Sequence, residues 1–296
     1  MRFKIATITG LVLAGAGAAA VLLADEKVEQ VVAAATGDLR PPNGEWITSV
    51  PGETARVWAV GDANPPNSEG VTRLIKRADP DRVLYLGDVY PEGSPPDFDR
   101  WAKPWGRLIN RMAPTPGNHE WRGGLEGYES FWRDVTGETP PTYYSFKAGG
   151  WDILSVNAEH SESGAIENWL TEQTSSGGNC RIAFWHRPAY SAGKYERGDA
   201  RARQYWNALV GGARIVVNGH DHDMQRLRAR DGIVEFISGA GGRHRHNVDE
   251  KDPDLAFGDD DHFGALRLHL SPERAKWRFV SARGHVLDKG SLFCQS

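Results

Sequence analysis

Acidic, amide and imidazole side chains stand directly after short apolar runs at five places along the chain. Short runs rich in Val and Ile are typical of buried strands. Ligands of open α/β sheets bind beyond the carboxyl ends of the strands, so we expect these side chains to meet at one edge. They are Asp62, Asp88, Asn118 with His119, His186, and the pair His220 and His222.

This mixture of side chains predicts a site for two metal ions. Carboxylate, amide and imidazole donors suit Fe, Mn or Zn better than a thiolate site would. Without His119, six candidate ligands remain; these are too many for one tetrahedral zinc with an open position, but they suffice for two ions that share a carboxylate. Such a pair activates a bridging water and holds the attacking and leaving oxygens of an in-line phosphoryl transfer. The sequence has no Walker-type glycine loop and no nucleophile elbow, so no nucleophilic side chain is evident.

The elements that must position these residues alternate in type along most of the chain. Helical patterns over residues 69–78, 98–111, 165–173 and 199–209 lie between the predicted strands, which indicates a largely parallel sheet in the first part. From Gly232 onward, strands at 233–238, 265–270 and 276–282 follow one another without helices. We therefore expect a second sheet there, mixed or antiparallel.

Five motifs in order resemble the calcineurin-like metallophosphoesterases, and the chain is most similar to the purple acid phosphatase-like proteins among them. They are Gly61-Asp62, Gly87-Asp88-Val89-Tyr90, Gly117-Asn118-His119-Glu120, Phe184-Trp185-His186 and Gly219-His220-Asp221-His222. The resemblance begins near residue 55 and runs to the end of the chain. It implies an α/β fold, a four-layer α/β/β/α sandwich with mixed sheets.

The resemblance also implies a division of the ligands between two ions. Asp62, Asp88 and His222 would hold the first, and Asp88 would bridge to a second. The second ion would take its further ligands from Asn118, His186 and His220. The ions would be two divalent metals, or Fe(III) with a divalent metal. His119 would protonate the leaving oxygen, because an imidazole titrates near neutral pH.

Three departures from the purple acid phosphatase pattern leave alternatives open. Tyr90 comes one residue early; a one-residue shift in an extended chain turns a side chain to the opposite face, so Tyr90 is either a metal ligand or a packing residue. Asn64 stands where a glycine is usual in that pattern and a ligand histidine in other relatives. Arg187 replaces a second histidine and either contacts the substrate phosphate or packs at the surface.

Two further loops carry charge. The run Gly241-Gly242-Arg243-His244-Arg245-His246 is either a phosphate-binding loop or a solvated basic turn. The acidic run at 259–261 suits a solvated loop better than a calcium site.

The ends of the chain suggest export. Arg2 and Lys4 precede an uncharged stretch over residues 5–24, so residues 1–24 are predicted to be a signal peptide or a membrane anchor. Residues 25–50 are predicted to be a linker, and residues 51–296 the metallophosphoesterase domain. An exported protein would be secreted, periplasmic or at the cell surface. In such a compartment a Cys180–Cys294 disulfide is permissible, although a free buried thiol fits the sequence equally well.

The amino-acid composition and net charge bear on which classes of function and partner the protein has. The 296 residues are 40% hydrophobic and 25% charged, with a net charge of −4. These are ordinary values for a globular protein, and the near-neutral charge argues against a nucleic-acid partner. We predict hydrolysis of small phosphate monoesters, with contact to a membrane only through an N-terminal anchor. The alternatives are a phosphodiesterase acting on small diesters or cyclic nucleotides, and an inactive phosphoesterase fold that serves in binding.

Overall fold

The computed structural model describes residues 46–160, 163–193 and 197–295. The predicted signal peptide or anchor, and the linker as far as residue 45, lie outside the described residues. The last five residues assigned to the linker pack against the domain, with Trp46 and Ile47 buried. The indole of Trp46 donates a hydrogen bond to the Thr136 hydroxyl. Within the described residues, no helix is both long and apolar enough to cross a membrane.

Thirteen strands form two mixed sheets in the described part of the chain. The strands are β1 (Ala55–Val60), β2 (Arg82–Tyr85), β3 (Met112–Pro114), β4 (Tyr143–Ala148), β5 (Trp151–Val156), β6 (Arg181–Phe184), β7 (Ile215–Asn218), β8 (Met224–Leu227), β9 (Val234–Ser238), β10 (Leu255–Asp259), β11 (Gly264–Ser271), β12 (Arg274–Ser281) and β13 (Val286–Phe293). The first sheet has the order β13-β12-β11-β1-β2-β3, and the second β10-β8-β9-β7-β6-β5-β4.

Six α-helices and a 3-10 helix connect these strands in the described residues. The α-helices are α1 (Glu69–Ala78), α2 (Pro95–Trp105), α3 (Asn118–Arg122), α4 (Glu126–Thr136), α5 (Ser163–Ser175) and α6 (Ala200–Leu209). The predicted helix over 98–111 is divided, because its α-helical part ends at Trp105 and a 3-10 helix covers Gly106–Arg111. Gly106 has a φ of 53°, a left-handed conformation that glycine adopts readily and that ends an α-helix.

The layers follow from side-chain alternation along the strands. In β6, Ile182 and Phe184 belong to the core that also contains Leu268 of the first sheet, whereas Ala183 belongs to the cluster under α5 and α6. On the first sheet, Trp101 of α2 packs edge-on against Tyr85 of β2 at 4.6 Å between ring centroids. The fold is therefore the expected sandwich of helices, two mixed sheets and helices.

The C-terminal strands do not make the separate second sheet that we expected. Strand β9 lies in the second sheet parallel to β7, whereas β11, β12 and β13 extend the first sheet. The junction is antiparallel, with Trp58 of β1 opposite Arg267 of β11. A local hydrophobic pattern identifies a strand but not its partner, and these two strands are about 200 residues apart in the sequence.

A disulfide joins the two sheets. Cys180 immediately precedes β6 and Cys294 immediately follows β13, and their sulfurs are bonded across a separation of 114 residues. The disulfide is therefore present rather than the free thiol left open from the sequence.

Candidate metal centre

The predicted ligands stand where parallel strands end. Asp62, Asp88 and Asn118 follow β1, β2 and β3 of the first sheet, while His186 and His220 follow β6 and β7 of the second. Both sheets present these ends to the same site, because His186 Nε2 lies 3.1 Å from Asn118 Oδ1 across the gap between them.

Three of these residues adopt a left-handed backbone, which is uncommon for residues other than glycine. The φ angles are 58° at Asp62, 63° at Asp88 and 70° at His220. Hydrogen bonds hold the turns in place: the His220 amide donates to Asp62 Oδ2 at 2.9 Å, and the His119 amide donates to Asp88 Oδ1 at 2.9 Å. Such strained positions persist where surrounding contacts fix them, and they are concentrated at functional sites.

Four side chains converge in the first cluster. The Tyr90 hydroxyl lies 2.9 Å from Asp62 Oδ1, 3.1 Å from Asp88 Oδ2 and 2.9 Å from His222 Nε2. The Nδ1–H of His222 donates to the His244 carbonyl at 2.6 Å. This hydrogen bond leaves the lone pair on Nε2, which faces the cluster. The three residues that the resemblance assigns to the first ion therefore surround the tyrosine oxygen.

Tyr90 thus lies inside the site, although the one-residue shift in an extended chain would turn it away. Gly87 has a φ of 90° and Asp88 a φ of 63°, so the chain turns after β2 and is not extended. The alternation of side chains that applies to strands does not hold through such a turn. The packing interpretation of Tyr90 is therefore replaced by direct contact with the predicted ligands.

The second cluster gathers around His186. Its Nε2 lies 3.4 Å from Asp88 Oδ1 and 3.2 Å from His220 Nδ1, in addition to the contact with Asn118. The Nδ1–H of His186 donates to the Leu86 carbonyl at 2.7 Å, which orients the ring so that Nε2 faces the second cluster. The ligand atoms of Asp88, His186 and His220 all lie within 4.8 Å of one another.

Burial and charge set the protonation of these groups. Burial lowers the pKa of His220 to about 3, together with the positive charges of His186 and Arg187. Burial is the largest single effect on the pKa of His186 and lowers it, but the charge and hydrogen bond of Asp88, together with the charges of Asp62 and Glu159, raise this pKa to about 10. The pKa of Tyr90 is well above its usual range, because burial and the carboxylates Asp62 and Asp88 oppose a phenolate.

This donor set fits two cations. Buried carboxylate, amide and imidazole acceptors face one another at both clusters, and Asp88 has one oxygen toward each. Buried acceptors without enough donors between them are costly unless a cation or protons lie there. The set is also of the hard-oxygen and imidazole type that binds Fe, Mn or Zn.

His119 and Glu120 follow the predicted ligand Asn118 in the chain and differ in exposure. The imidazole of His119 is 22% exposed; Nδ1 contacts the Pro91 carbonyl, and Nε2 lies 3.7 Å from Asp88 Oδ2. Glu120 is buried and accepts hydrogen bonds from the backbone amides of Asp88 at 3.1 Å, Val89 at 2.7 Å and Gly117 at 2.9 Å. Glu120 thus fixes the turn that carries Asp88.

Arg187 lies at the edge of the site in contact with two of its residues. Its Nε donates to Glu159 at 2.9 Å, and its Nη1 lies 3.1 Å from His220 Nε2. Sequence reasoning missed Glu159, although it follows β5 in the way that the ligands follow their strands. These contacts place Arg187 beside the predicted ligand His220 and not on the outer surface.

The comparisons with known proteins agree with this fold. The sequence model of the family described as calcineurin-like phosphoesterase matches residues 55–224. Purple acid phosphatase 7 of Arabidopsis thaliana is 30% identical over 83 residues, which are 26% of this chain and 24% of that protein. The chain belongs to the calcineurin-like phosphoesterase family and has purple acid phosphatases among its homologues.

Two solved structures share the fold. The purple acid phosphatase PPD1 from yellow lupin seeds is 18% identical, with a TM-score of 0.65 over 83% of this chain and 55% of that one. GAP50 of Plasmodium, described as the anchor in the inner membrane complex, is 16% identical, with a TM-score of 0.66 over 83% of this chain and 90% of that one. The chain thus spans about half the length of the lupin protein and a quarter of the Arabidopsis one.

Proposed function

We propose that this protein is a metal-dependent phosphoric ester hydrolase that acts on small phosphate monoesters. The observation that carries the proposal is the position of Asp88, whose two oxygens face two separate clusters of metal-ligating atoms. One carboxylate between two such clusters is the arrangement that a two-metal phosphoryl-transfer site requires.

Each cluster would hold one ion. Asp62, Asp88, Tyr90 and His222 would hold the first, and a phenolate from Tyr90 would favour Fe(III) over a softer metal there. The second ion would take Asp88 together with Asn118, His186 and His220. When bound, the two ions would supply an activated water and neutralise the charge of the phosphoryl group.

His119 would act as the proton donor to the leaving alcohol. Its Nδ1 is held by the Pro91 carbonyl, which fixes the ring and leaves Nε2 near Asp88 at the accessible edge of the site. A partly exposed imidazole in this position can deliver a proton and be reprotonated from solvent. Arg187, held by Glu159 beside His220, would present its guanidinium to a phosphate bound at the second cluster.

Export is part of the proposal. The basic residues before the uncharged stretch at 5–24 suit a signal peptide or an anchor, and disulfides form and persist mainly in oxidising compartments. We infer that the domain acts outside the cytoplasm, with the N-terminal segment either removed or retained in a membrane.

Initial rates on p-nitrophenyl phosphate and bis-p-nitrophenyl phosphate test the reaction. The protein would be reconstituted with Mn, Zn or Fe, and Asp88→Asn would serve as the inactive reference. We expect faster turnover of the monoester, which the substitution abolishes. Faster turnover of the diester would favour the phosphodiesterase, and no turnover of either ester with any metal would favour a binding role.

A further inference from the structure

A cavity of about 610 Å³ opens beside the first metal cluster. Residues of the basic loop at 241–246 line one part of it, together with Asn64 from the turn after β1. Phe263, Asp260 and Asp261 line another part. The volume is within the range of sites for small organic ligands, which is roughly 300–1,000 Å³.

Backbone contacts fix the basic loop to the metal-site residues. The Arg243 amide donates to the Asp62 carbonyl at 2.9 Å, and the His244 carbonyl accepts from the His222 ring. A Cβ at Gly241 would overlap the Gly61 carbonyl, so glycine is required for this close approach. The loop is therefore held against both ends of the first cluster.

Two arginines of the loop have no anionic partner in the part of the chain that the structure describes. The guanidinium of Arg243 lies 4.4 Å above the centre of the Tyr90 ring, and that of Arg245 lies 5.2 Å from the centre of the Phe263 ring. Among the described residues, neither side chain forms an ion pair or a hydrogen bond. Asp260, which shares the cavity, instead accepts from the Val248 amide at 2.9 Å.

We propose that this cavity binds a second anionic group of the substrate. This inference rests on the proposed function and narrows its substrate class to monoesters whose alcohol carries another phosphate or a carboxylate. Arg243 and Arg245 would pair with that group, since a guanidinium recognises such oxyanions in bidentate fashion. Asp260 and Asp261 would accept hydrogen bonds from hydroxyls of the alcohol. The basic loop is then a phosphate-binding loop and not a solvated turn.

Matched pairs of esters test this subsite. Alkyl phosphates would be compared with α,ω-alkanediol bisphosphates of equal chain length, from two to six carbons. At the best chain length, we expect the kcat/KM of the bisphosphate to be about tenfold higher than that of the alkyl phosphate, because its KM is lower. This factor is counted after correction for the two equivalent ends of the bisphosphate. Arg245→Gln should remove most of this advantage and leave the alkyl phosphate unchanged. Arg283→Gln, an exposed change in the turn between β12 and β13, is the control.

If the alkyl phosphate and the bisphosphate have equal kcat/KM values at every chain length, the proposal of the subsite is wrong, while the proposed function remains intact. Should neither ester be hydrolysed, the proposed function fails, and the dissociation constants of the same ligands, measured by calorimetry, decide the subsite separately. The subsite is supported if the bisphosphate binds more tightly than the alkyl phosphate and if Arg245→Gln weakens the binding of the bisphosphate. Equal affinities for the two ligand types would contradict it.

Discussion

Single side chains determine whether the site can hold two ions, and Tyr90 is the most informative of them. Its hydroxyl is within 3.1 Å of Asp62, Asp88 and His222. If it becomes a phenolate ligand, the iron-loaded protein should absorb visible light through charge transfer from oxygen to Fe(III). We expect Tyr90→Phe to lose this band while the second cluster keeps its ion. An unchanged absorption spectrum in the variant would show that Tyr90 is not a ligand.

Glu120 orients Asp88 through hydrogen bonds to the backbone of the turn. Three backbone amides donate to its two oxygens, and the amide nitrogen of a glutamine cannot accept any of them. We expect Glu120→Gln to lower metal affinity or turnover by roughly 10- to 100-fold, as changes behind a metal ligand commonly do. Metal titration followed by rates on p-nitrophenyl phosphate would measure this. Glu126→Gln, an exposed change in the first turn of α4, should behave as wild type.

We expect Glu235, which lies outside the candidate metal centre, to make the stability of the domain depend on pH. Burial raises its pKa from 4.5 to about 8, although the amides of Ala189 and Tyr190 donate to it. Between pH 4.5 and about pH 8, Glu235 keeps its proton in the folded protein, whereas the unfolded chain has released it. The contribution of Glu235 to the free energy of unfolding is therefore largest below about pH 4.5, and it declines as the pH rises to 8.

Glu235→Gln removes this titration. We expect the free energy of unfolding of wild type, relative to the variant, to fall by roughly 1–4 kcal/mol from pH 4.5 to pH 8. Denaturant unfolding of both proteins at several pH values would measure the difference. Parallel pH profiles of the two proteins would exclude a titrating Glu235.

The convergence of the candidate ligands could be predicted from the sequence, because they follow apolar strands. The position of Tyr90 could not, since it depends on the turn at Gly87 and Asp88 rather than on strand alternation. Glu159 was missed because its role depends on contact with Arg187, which is 28 residues away.

At the scale of elements, the strand-end turns must pack closely enough to bring the ligands together. A Cβ at Gly117 would overlap Oδ1 of Asp88, so the turn before α3 depends on a glycine. We expect Gly117→Ala to displace Asp88, reduce turnover sharply and destabilise the fold by about 1–3 kcal/mol. Gly177→Ala is the matched control, because its Cβ would meet nothing within 4 Å. Equal activity and stability of the two variants would show that this close packing is not required.

Helix α1 was predicted with its observed bounds, since its apolar residues recur at helical spacing and a turn follows it. Helix α4 was missed, although Tyr128 and Trp132 are buried on one face of it. Its sequence is rich in aromatic and charged residues near Gly124 and Gly137, which obscures the helical pattern. The division of helix 98–111 depended on the left-handed Gly106, a conformation that a helical pattern does not indicate.

At the scale of the whole molecule, pairings between distant strands and the disulfide hold the sheets together. The Cys180–Cys294 bond links the start of β6 to the end of β13 and closes a separation of 114 residues. Removing a disulfide that closes so long a loop costs about 2–5 kcal/mol. We therefore expect Cys294→Ala to lower the Tm by roughly 5–15 °C. Thermal unfolding with and without reductant checks this, and a reductant effect on the variant equal to that on wild type would contradict it.

The family resemblance predicted the overall sandwich. The hydrophobic pattern of the sequence did not predict which strands belong to which sheet. The return of β11 to β1 brings together segments that are distant in sequence, and only tertiary packing determines that pairing. Contacts between the two sheets also position the basic loop: the Gly61 amide donates to the Ser238 carbonyl at the end of β9, and the Arg243 amide donates to the Asp62 carbonyl. The cavity next to the metal centre is therefore a property of the whole molecule.

The central claim is that two ions are held around one shared carboxylate, and calorimetric titration of the metal-free protein with Mn or Zn tests it directly. We predict two ions per chain for wild type and no more than one for Asp88→Asn, because the single oxygen of the carboxamide cannot serve both clusters. A wild-type stoichiometry of one or none, or an undiminished stoichiometry of two in Asp88→Asn, would contradict the shared two-metal centre.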